Sequence, residues 1–274
     1  MKHPTVTLEV QDRLAVVTLN RPERHNAFHE EMWGAFTRTT EKLRRHPPRV
    51  IVLTGAGEKA FSAGFDVNPQ NPQVANLVGD VEKRDRETIG GFIRYLQGAI
   101  RAFTSLPVPV IAALNGMAYG GGAELAVQCD LRVMDESAVF CFSETRLGLM
   151  PDWGGGVALT RLCGPAIAAD LILTARKVGA PEALALGLVS RVAKKGHALE
   201  DALTLARAVA ANGPRAVRSA LQVIRGSASL PLEEAMAVEA DLAAELIAAG
   251  ECVHGITAFL TRRAPVFPDV ERDE

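Results

Sequence analysis

The sequence predicts an α/β fold with a helical C-terminal segment, and two observations support this. Up to about residue 192, short apolar runs typical of buried strands alternate with runs of helical period. From about residue 200 onward the strand patterns disappear, and Ala- and Leu-rich helical patterns take their place. We therefore expect a core at residues 1–198 and a helical segment at residues 199–274.

The N-terminal elements begin with a predicted β-hairpin. Residues 6–10 alternate apolar and polar side chains, and a turn at residues 11–13 leads into the apolar run at residues 14–19. A helix is predicted over residues 26–43, where the hydrophobic period changes and two prolines follow. The apolar run at residues 50–54 predicts a short buried strand.

The middle of the chain is predicted to contain a mobile loop at residues 68–85. Asn, Pro, Gln and charged residues occur there with little periodicity, and such a loop could line or cover a site. A helix over residues 85–103 and a buried strand at residues 110–114 follow, and the strand leads into the glycines at 120–122. Four helices are predicted in the C-terminal segment, at residues 202–211, 216–225, 231–249 and 251–263.

The composition indicates a folded protein with no global affinity for polyanions. Of the 274 residues, 48% are hydrophobic, which is enough for a full core. The formal net charge of -2 gives no field that would favour nucleic acid or an anionic membrane. No run approaches the roughly 20 apolar residues that a membrane helix needs, and the N-terminus shows no apolar targeting stretch.

The cysteines and histidines predict neither disulfides nor a metal. The four cysteines are scattered without a CxxC pair, which favours a reducing, cytoplasmic compartment. The six histidines are dispersed, and no His, Cys and Asp set has the spacing of metal ligands.

The first motif that could carry chemistry is the glycine-rich run at residues 120–125. It follows a predicted strand and opens a predicted helix. The first N–H groups of a helix have no internal partner, and the helix dipole adds to their attraction for negative charge. The run is typical of an anion or oxyanion site, although tight strand-to-helix packing explains it equally well.

The second motif is residues 60–66, where Ser62, Ala63 and Gly64 leave space for close approach to backbone N–H groups. Just before it, residues 55–60 fit the G-x-G-x-x-A form of a dinucleotide fingerprint. That fingerprint requires a helix to begin at once, and the glycine and prolines that follow argue against one. We therefore do not expect a nicotinamide site.

The third motif is residues 140–156, in which Glu144 is surrounded in sequence by Phe140, Phe142 and Leu147. Desolvation among apolar side chains would raise the pKa of this carboxyl and suit it to proton transfer near neutral pH. Pairing with Arg146 is the alternative that the local sequence leaves open.

Taken together, the three motifs resemble the enoyl-CoA hydratase/isomerase (crotonase) superfamily. The resemblance covers nearly the whole chain, because further matching segments occur in the same order. The matching segments are residues 19–22, 26–27, 61–66, 109–130, 144–156, 180–189 and 255–260.

The resemblance implies a spiral core of ββα turns with a helical C-terminal segment that mediates formation of a homotrimer, usually within a dimer of trimers. It implies that the backbone N–H groups of Ala63 and Gly121 receive the carbonyl of an acyl-CoA thioester. Glu124 and Glu144 match the two acid/base carboxylates of the hydratases. Coenzyme A is then part of the substrate, and no separate cofactor is implied.

The predicted reaction is addition of water across the double bond of a 2-enoyl-CoA. Two carboxylates can hold one water between them, and two N–H donors can stabilise the enolate that forms. We assign Glu144 as the acid that supplies the α proton and Glu124 as the group that activates water, while the reverse assignment stays open.

Further residues are expected to bind the substrate by their positions in these motifs. Phe65 and Trp153 could shape the acyl pocket, and Arg24 could contact the CoA phosphates, as could Arg262 or Arg263. The complete predicted set of substrate-binding residues is Arg24, Gly64, Phe65, Asp66, Gly120, Asp152 and Trp153.

Three alternative functions are open at this point. A carboxylate at Asp152 resembles the dienoyl-CoA isomerase branch, although it could instead cap the next helix. A catalytically silent acyl-CoA binder would keep only the fold. A thioester hydrolase is the third alternative, but Ser62 and Ser143 have no G-x-S-x-G setting.

Overall fold

A computed structural model of the chain describes residues 3–227 and 229–269. Within these residues the strands, numbered β1 to β10, span Val6–Gln11, Leu14–Leu19, Val50–Gly55, Ala60–Ser62, Val110–Leu114, Met117–Tyr119, Leu131–Asp135, Val139–Cys141, Val178–Gly179 and Arg191–Ala193. The α-helices, numbered α1 to α11, span Glu30–Arg45, Pro72–Lys83, Arg86–Thr104, Gly121–Gln128, Gly155–Cys163, Pro165–Thr174, Ala180–Ala185, Ala198–Ala210, Pro214–Ser227, Leu232–Ala248 and Glu251–Leu260.

The strands form two sheets. The larger has the order β1-β2-β3-β5-β7-β10, and it is parallel apart from the β1–β2 hairpin. The smaller has the order β4-β6-β8-β9, in which β4, β6 and β8 run parallel and β9 is antiparallel. Because β4, β6 and β8 are parallel neighbours, the loops at their carboxyl ends leave the same edge of the small sheet. That edge is where the candidate site lies.

Both faces of the central strands are buried, which explains their continuous apolar sequences. On β3, Ile51 and Leu53 pack into the main core, whereas Val50 and Val52 pack on the opposite face under α8. β5 alternates in the same way. The predicted hairpin and both buried strands are therefore confirmed.

The predicted helix over residues 26–43 begins later than expected, at Glu30. Asn26 has a left-handed backbone, with φ of 54°, and its side chain donates hydrogen bonds to the carbonyls of Ala56 and Ala60. Phe28 forms an isolated parallel bridge with Phe65. Residues 26–28 therefore join the loop after β4 instead of starting the helix.

The prediction of a mobile loop at residues 68–85 is wrong, because most of this segment forms the helix α2. Pro72 occupies the first turn, where its missing N–H costs nothing, and the side chain of Asn71 accepts a hydrogen bond from the N–H of Gln73. The apolar residues Leu77 and Val81 lie one turn apart on this helix. Both side chains line the cavity described below, which is consistent with the expectation that this segment could line a site.

The C-terminal helices α8 to α11 match the four predicted ones with small shifts at their ends. α8 covers one face of the large sheet, and α10 packs on α9. In the described part of the chain, no single helix is long and apolar enough to cross a membrane. α10 and α11, which meet at 70°, reach that length and composition only when counted together.

Candidate active site

A cavity of about 320 Å³ opens at the edge of the small sheet where β4, β6 and β8 end. Its floor is formed by the start of α4 and by the loops after β4 and β8, and α2 and α3 form its far wall. Glu124, Glu144, Asp152 and Ser143 are the polar side chains of its lining, which is otherwise apolar or glycine. The volume falls within the range typical of small-molecule sites, about 300–1,000 Å³.

Glu124 lies on α4, three residues after its first residue Gly121, and its side chain is completely buried. Its carboxylate accepts three backbone hydrogen bonds, from the N–H groups of Asp152 at 3.2 Å, Trp153 at 2.8 Å and Gly155 at 2.8 Å. Gly155 is the first residue of α5. The carboxylate of Glu124 therefore sits at the positive end of a second helix, where negative charge is stabilised.

Glu144 begins a short 3-10 helix after β8, and only 8% of its surface is exposed. No N–H or O–H group of the other described residues donates to either of its carboxylate oxygens, and no pairing with Arg146 forms. Its carboxyl is close enough to that of Glu124 for the two to share a hydrogen bond when one holds a proton. The sequence prediction that these two residues act together is therefore consistent with their placement.

The pKa values of both carboxyls are raised. Burial raises the pKa of Glu124 and so does the neighbouring charge of Glu144, while the N–H of Gly155 opposes the rise. Burial likewise raises the pKa of Glu144. Two carboxyls in contact inside one cavity cannot both ionise easily, so the pair holds one proton at neutral pH.

Gly121 provides one backbone donor to this cavity. Its N–H is the first of α4 and has no acceptor among the described residues. The preceding Gly120 also lines the cavity and has φ of 52° and ψ of -129°, a conformation that glycine alone adopts readily. A side chain at Gly121 would collide with the ring of Trp153, 2.6 Å from the added carbon.

The prediction of Ala63 as the second donor is wrong. Its N–H already donates to the carbonyl of His25 at 2.9 Å, although the residue does line the cavity. The N–H of Gly64, the next residue, donates to Ser62 Oγ, and the bridge to Phe28 uses the carbonyl of Gly64 and the N–H of Asp66. The N–H of Phe65 lies between them, points to the other side of the extended chain, and has no acceptor in the described residues.

Gly64 and Asp66 hold the loop in place instead of lining the cavity, which corrects their prediction as substrate-binding residues. Gly64 has φ of +81°, and an added Cβ would lie 2.6 Å from the nitrogen of Gly121, so the two chain segments touch through this glycine. The Asp66 carboxylate pairs with Arg21 at 2.9 Å. Their role is to bring the loop after β4 against the start of α4.

Phe65, Asp152 and Trp153 line the cavity, and their contact with a substrate stays a prediction. The first N–H of α5, that of Gly155, donates to Glu124 and not to Asp152, and burial raises the pKa of the Asp152 carboxyl. Trp153 is almost fully buried against Phe28 and Trp33. Arg24 is exposed on a 3-10 helix away from the cavity lining, so its contact with CoA phosphates stays a prediction.

The sequence interpretation missed Gly155 and the cavity-facing side of α2 and α3. An added Cβ on Gly155 would collide with the side chain of Glu124 and lie 2.5 Å from its Cα. The only sequence signal was the run of three glycines at 154–156, which does not say which of them contacts Glu124. No group of three or more His, Cys, Asp or Glu side chains within residues 3–227 and 229–269 is arranged to hold a metal ion.

Comparison with known proteins places this site in a family. The model of the family described as enoyl-CoA hydratase/isomerase matches residues 9–270. The chain is 33% identical to a short-chain-enoyl-CoA hydratase of Clostridium acetobutylicum, over 96% of this chain and 97% of the relative. It is 32% identical to a crotonyl-CoA hydratase of Syntrophomonas wolfei, over 97% and 99% of the two chains.

The fold agrees with these matches. The crystal structure of an enoyl-CoA hydratase from Bacillus anthracis superposes with a TM-score of 0.88 at 31% identity, covering 96% of this chain and 98% of that one. The predicted α/β crotonase-like fold is therefore confirmed, and the chain belongs to the enoyl-CoA hydratase/isomerase family.

Proposed function

We propose that this protein adds water across the α,β double bond of a 2-enoyl-CoA thioester. One observation carries the proposal: the carboxyls of Glu124 and Glu144 meet in one cavity beside the unpaired N–H groups of Gly121 and Phe65. The hydratase names of the relatives from Clostridium acetobutylicum and Syntrophomonas wolfei support it.

The two N–H groups would receive the thioester oxygen. Attack of water on the β carbon moves negative charge onto this oxygen, and donors already in place stabilise that charge without rearrangement. The loss of one such donor typically costs about 3–4 kcal/mol in related oxyanion sites. The N–H of Phe65 takes the role expected of Ala63, because the N–H of Ala63 is already bonded to His25.

The different surroundings of the two glutamates suggest their roles. Glu124 accepts three backbone N–H bonds, which stabilise its ionised form, whereas the oxygens of Glu144 receive none. We therefore place the shared proton on Glu144. Glu124 takes a proton from water as the oxygen bonds to the β carbon, and Glu144 gives its proton to the α carbon. The proton on Glu124 then passes to Glu144, and the net change is one water added.

The direct test is incubation with trans-2-butenoyl-CoA and trans-2-octenoyl-CoA. Hydration is followed by loss of the absorbance of the conjugated thioester, and mass spectrometry should show 3-hydroxyacyl-CoA, heavier than the substrate by one water. If neither thioester gains water while both bind, the silent acyl-CoA binder replaces this proposal.

We predict a bell-shaped pH dependence of kcat. Hydration needs one proton on the pair, so the rate falls at low pH when both carboxyls are protonated and at high pH when both are ionised. Because burial raises the pKa of Glu144, the alkaline fall should lie well above the ordinary value of 4.5. The measurement is kcat against pH at saturating substrate. An alkaline fall near 4.5 would contradict the assignment of a buried shared proton.

Isomerisation of a dienoyl- or enoyl-CoA is the second candidate, and Asp152 favours it. This third carboxyl lines the same cavity, and its pKa is raised by burial, so it could accept a proton from a more distant carbon. A 3,5-dienoyl-CoA offered to the protein separates the two functions. Faster isomerisation of this compound than hydration of any 2-enoyl-CoA would make isomerase the main activity.

We also propose that the protein assembles as a homotrimer or a dimer of trimers. The C-terminal helices α10 and α11 expose a group of large apolar side chains that would be buried between subunits. These are Leu232, Met236, Ile247, Val253, Ile256, Phe259 and Leu260.

Light scattering should give the mass of three or six chains. Phe259→Asp, at a side chain that is 82% exposed, should shift the mass toward one chain, whereas Val10→Asp, at an equally apolar residue 63% exposed on β1, should not. A parent protein that remains a monomer at micromolar concentration would refute the assembly. The cytoplasmic location stays a prediction from the cysteine pattern.

A further inference from the structure

One wall of the cavity is apolar throughout. Helices α2 and α3 are rich in charged residues, with seven between positions 80 and 87, yet they contribute no polar side chain to the lining. Their contributions are Leu77, Val81, Ile89, Phe92, Ile93 and Leu96. Phe92 also packs edge-on against Phe65, with ring centroids 6.1 Å apart, so the wall continues to the thioester end of the cavity.

The mouth of the cavity is also apolar, although it faces solvent. Its side chains come from two separate parts of the chain and lie close together. The exposed fractions are 63% for Val67, 59% for Val81, 66% for Leu147, 56% for Leu149 and 69% for Met150. Single exposed apolar residues need no explanation, but a contiguous group at a cavity mouth marks a surface that a ligand covers.

The polar groups of the cavity come from other elements than its apolar wall. Glu124, Glu144 and the N–H of Gly121 belong to α4 and to the loop after β8, whereas the apolar wall belongs to α2 and α3. A four-carbon 2-enoyl group has only one methyl group beyond its double bond, so it offers little apolar surface to cover the wall and the mouth.

We propose that the acyl group accepted here is a straight apolar chain of about eight carbons or more, which leaves the cavity between α2 and residues 147–150. This inference rests on the proposed hydratase function. Each methylene that moves from water to an apolar wall contributes about 0.8 kcal/mol, which corresponds to about a fourfold gain in kcat/KM.

The first test compares trans-2-butenoyl-, octenoyl- and dodecenoyl-CoA. We expect kcat/KM to rise by up to about fourfold per added methylene between the first two and to stay high for the third. A kcat/KM that is highest for the butenoyl thioester would overturn the inference while leaving the hydratase function intact. Hydration of none of the three would instead refute the proposed function.

The second test places a charge in the path of the acyl chain. Val81→Asp should lower kcat/KM for dodecenoyl-CoA at least about tenfold more than for butenoyl-CoA, since the carboxylate would have to be desolvated. Val78→Asp is the matched control, because Val78 lies on the same helix and is 53% exposed but does not line the cavity.

The control variant should keep the parent's chain-length profile, and thermal melting should show both variants folded. Equal losses for the short and long substrates in Val81→Asp, or the same change in both variants, would overturn the proposed path of the chain. No change in Val81→Asp would overturn it as well.

Discussion

Glu144→Gln should slow hydration strongly and leave the fold at least as stable as that of the parent. The variant removes the proton that we place on the α carbon, so kcat should fall by about 10²–10⁴. Glutamine keeps the shape of the side chain. In the described part of the chain no N–H or O–H group donates to the carboxylate oxygens of Glu144, so the substitution leaves no donor without its acceptor.

The expected stability follows from the sign of the pKa shift. Burial raises the pKa of Glu144, so the folded state holds this proton more tightly than the unfolded state. That contribution is complete below the unfolded pKa and is lost as pH rises toward the folded pKa. Near neutral pH the parent has lost part of it, whereas glutamine has no proton to lose. The melting temperature of Glu144→Gln at neutral pH should therefore equal or exceed that of the parent.

Glu124→Gln should lose activity to a similar extent but should also melt at a lower temperature. Its carboxylate accepts three backbone N–H groups, and a glutamine NH2 would face at least one of these donors. An unsatisfied buried donor costs about 1–3 kcal/mol. Glu41→Gln, at an exposed position on α1, is the control for both variants. Equal melting temperatures for Glu124→Gln and Glu144→Gln would argue against the different surroundings assigned to the two groups.

Gly155→Ala should disable the site without changing any group that reacts. The added methyl would occupy the space of the Glu124 side chain, which is completely buried and cannot move aside without breaking its bonds to the start of α5. Forcing extra volume into a packed core typically costs about 1–3 kcal/mol. We expect kcat to fall by about 100-fold or more, since a displacement of about 1 Å costs that much in a positioned site.

Gly156→Ala provides a closely matched control for this variant. It is the next residue of the same helix, and its added methyl would make ordinary contacts at 3.6 Å with Pro151 and 3.9 Å with Ile172. Because Gly156 lies in the first turn of α5, alanine there should leave the free energy of unfolding within about 1 kcal/mol of the parent's. The measurements are kcat with octenoyl-CoA and the free energy of unfolding. Equal losses of activity in the two variants would show that glycine is needed for helix geometry and not for space beside Glu124.

The two carboxyl groups of the candidate site could be predicted from sequence better than its two backbone N–H donors. Glu124 and Glu144 were assigned because the segments around them resemble those of the enoyl-CoA hydratase/isomerase superfamily. The second N–H donor was assigned to Ala63, two residues too early. Which N–H of an extended loop points into a cavity depends on the bridge between Phe28 and Phe65, a contact between residues far apart in sequence.

The elements of the fold were also predicted well where their own sequence determines them and poorly where their surroundings do. The strands β3 and β5 were predicted correctly, because a strand buried on both faces is apolar at every position. α2 was mistaken for a mobile loop, since none of its residues is buried in the core and its polar residues hide the helical period. Its apolar side chains Leu77 and Val81 line a cavity, and the sequence pattern does not show which apolar residues line a cavity.

The parallel pairing of β4 with β6 separates the two tasks of this protein. Gly121 and Phe65 are neighbours because their strands end at one sheet edge, regardless of how many residues connect those strands. α2 and α3 lie entirely within that connection. Under the proposed function, substitutions on α2, which has no buried residue, would change which acyl groups fit while the N–H groups of Gly121 and Phe65 stay in place. If the proposed function holds, acyl-chain range could be engineered on α2 without rebuilding the site at the start of α4.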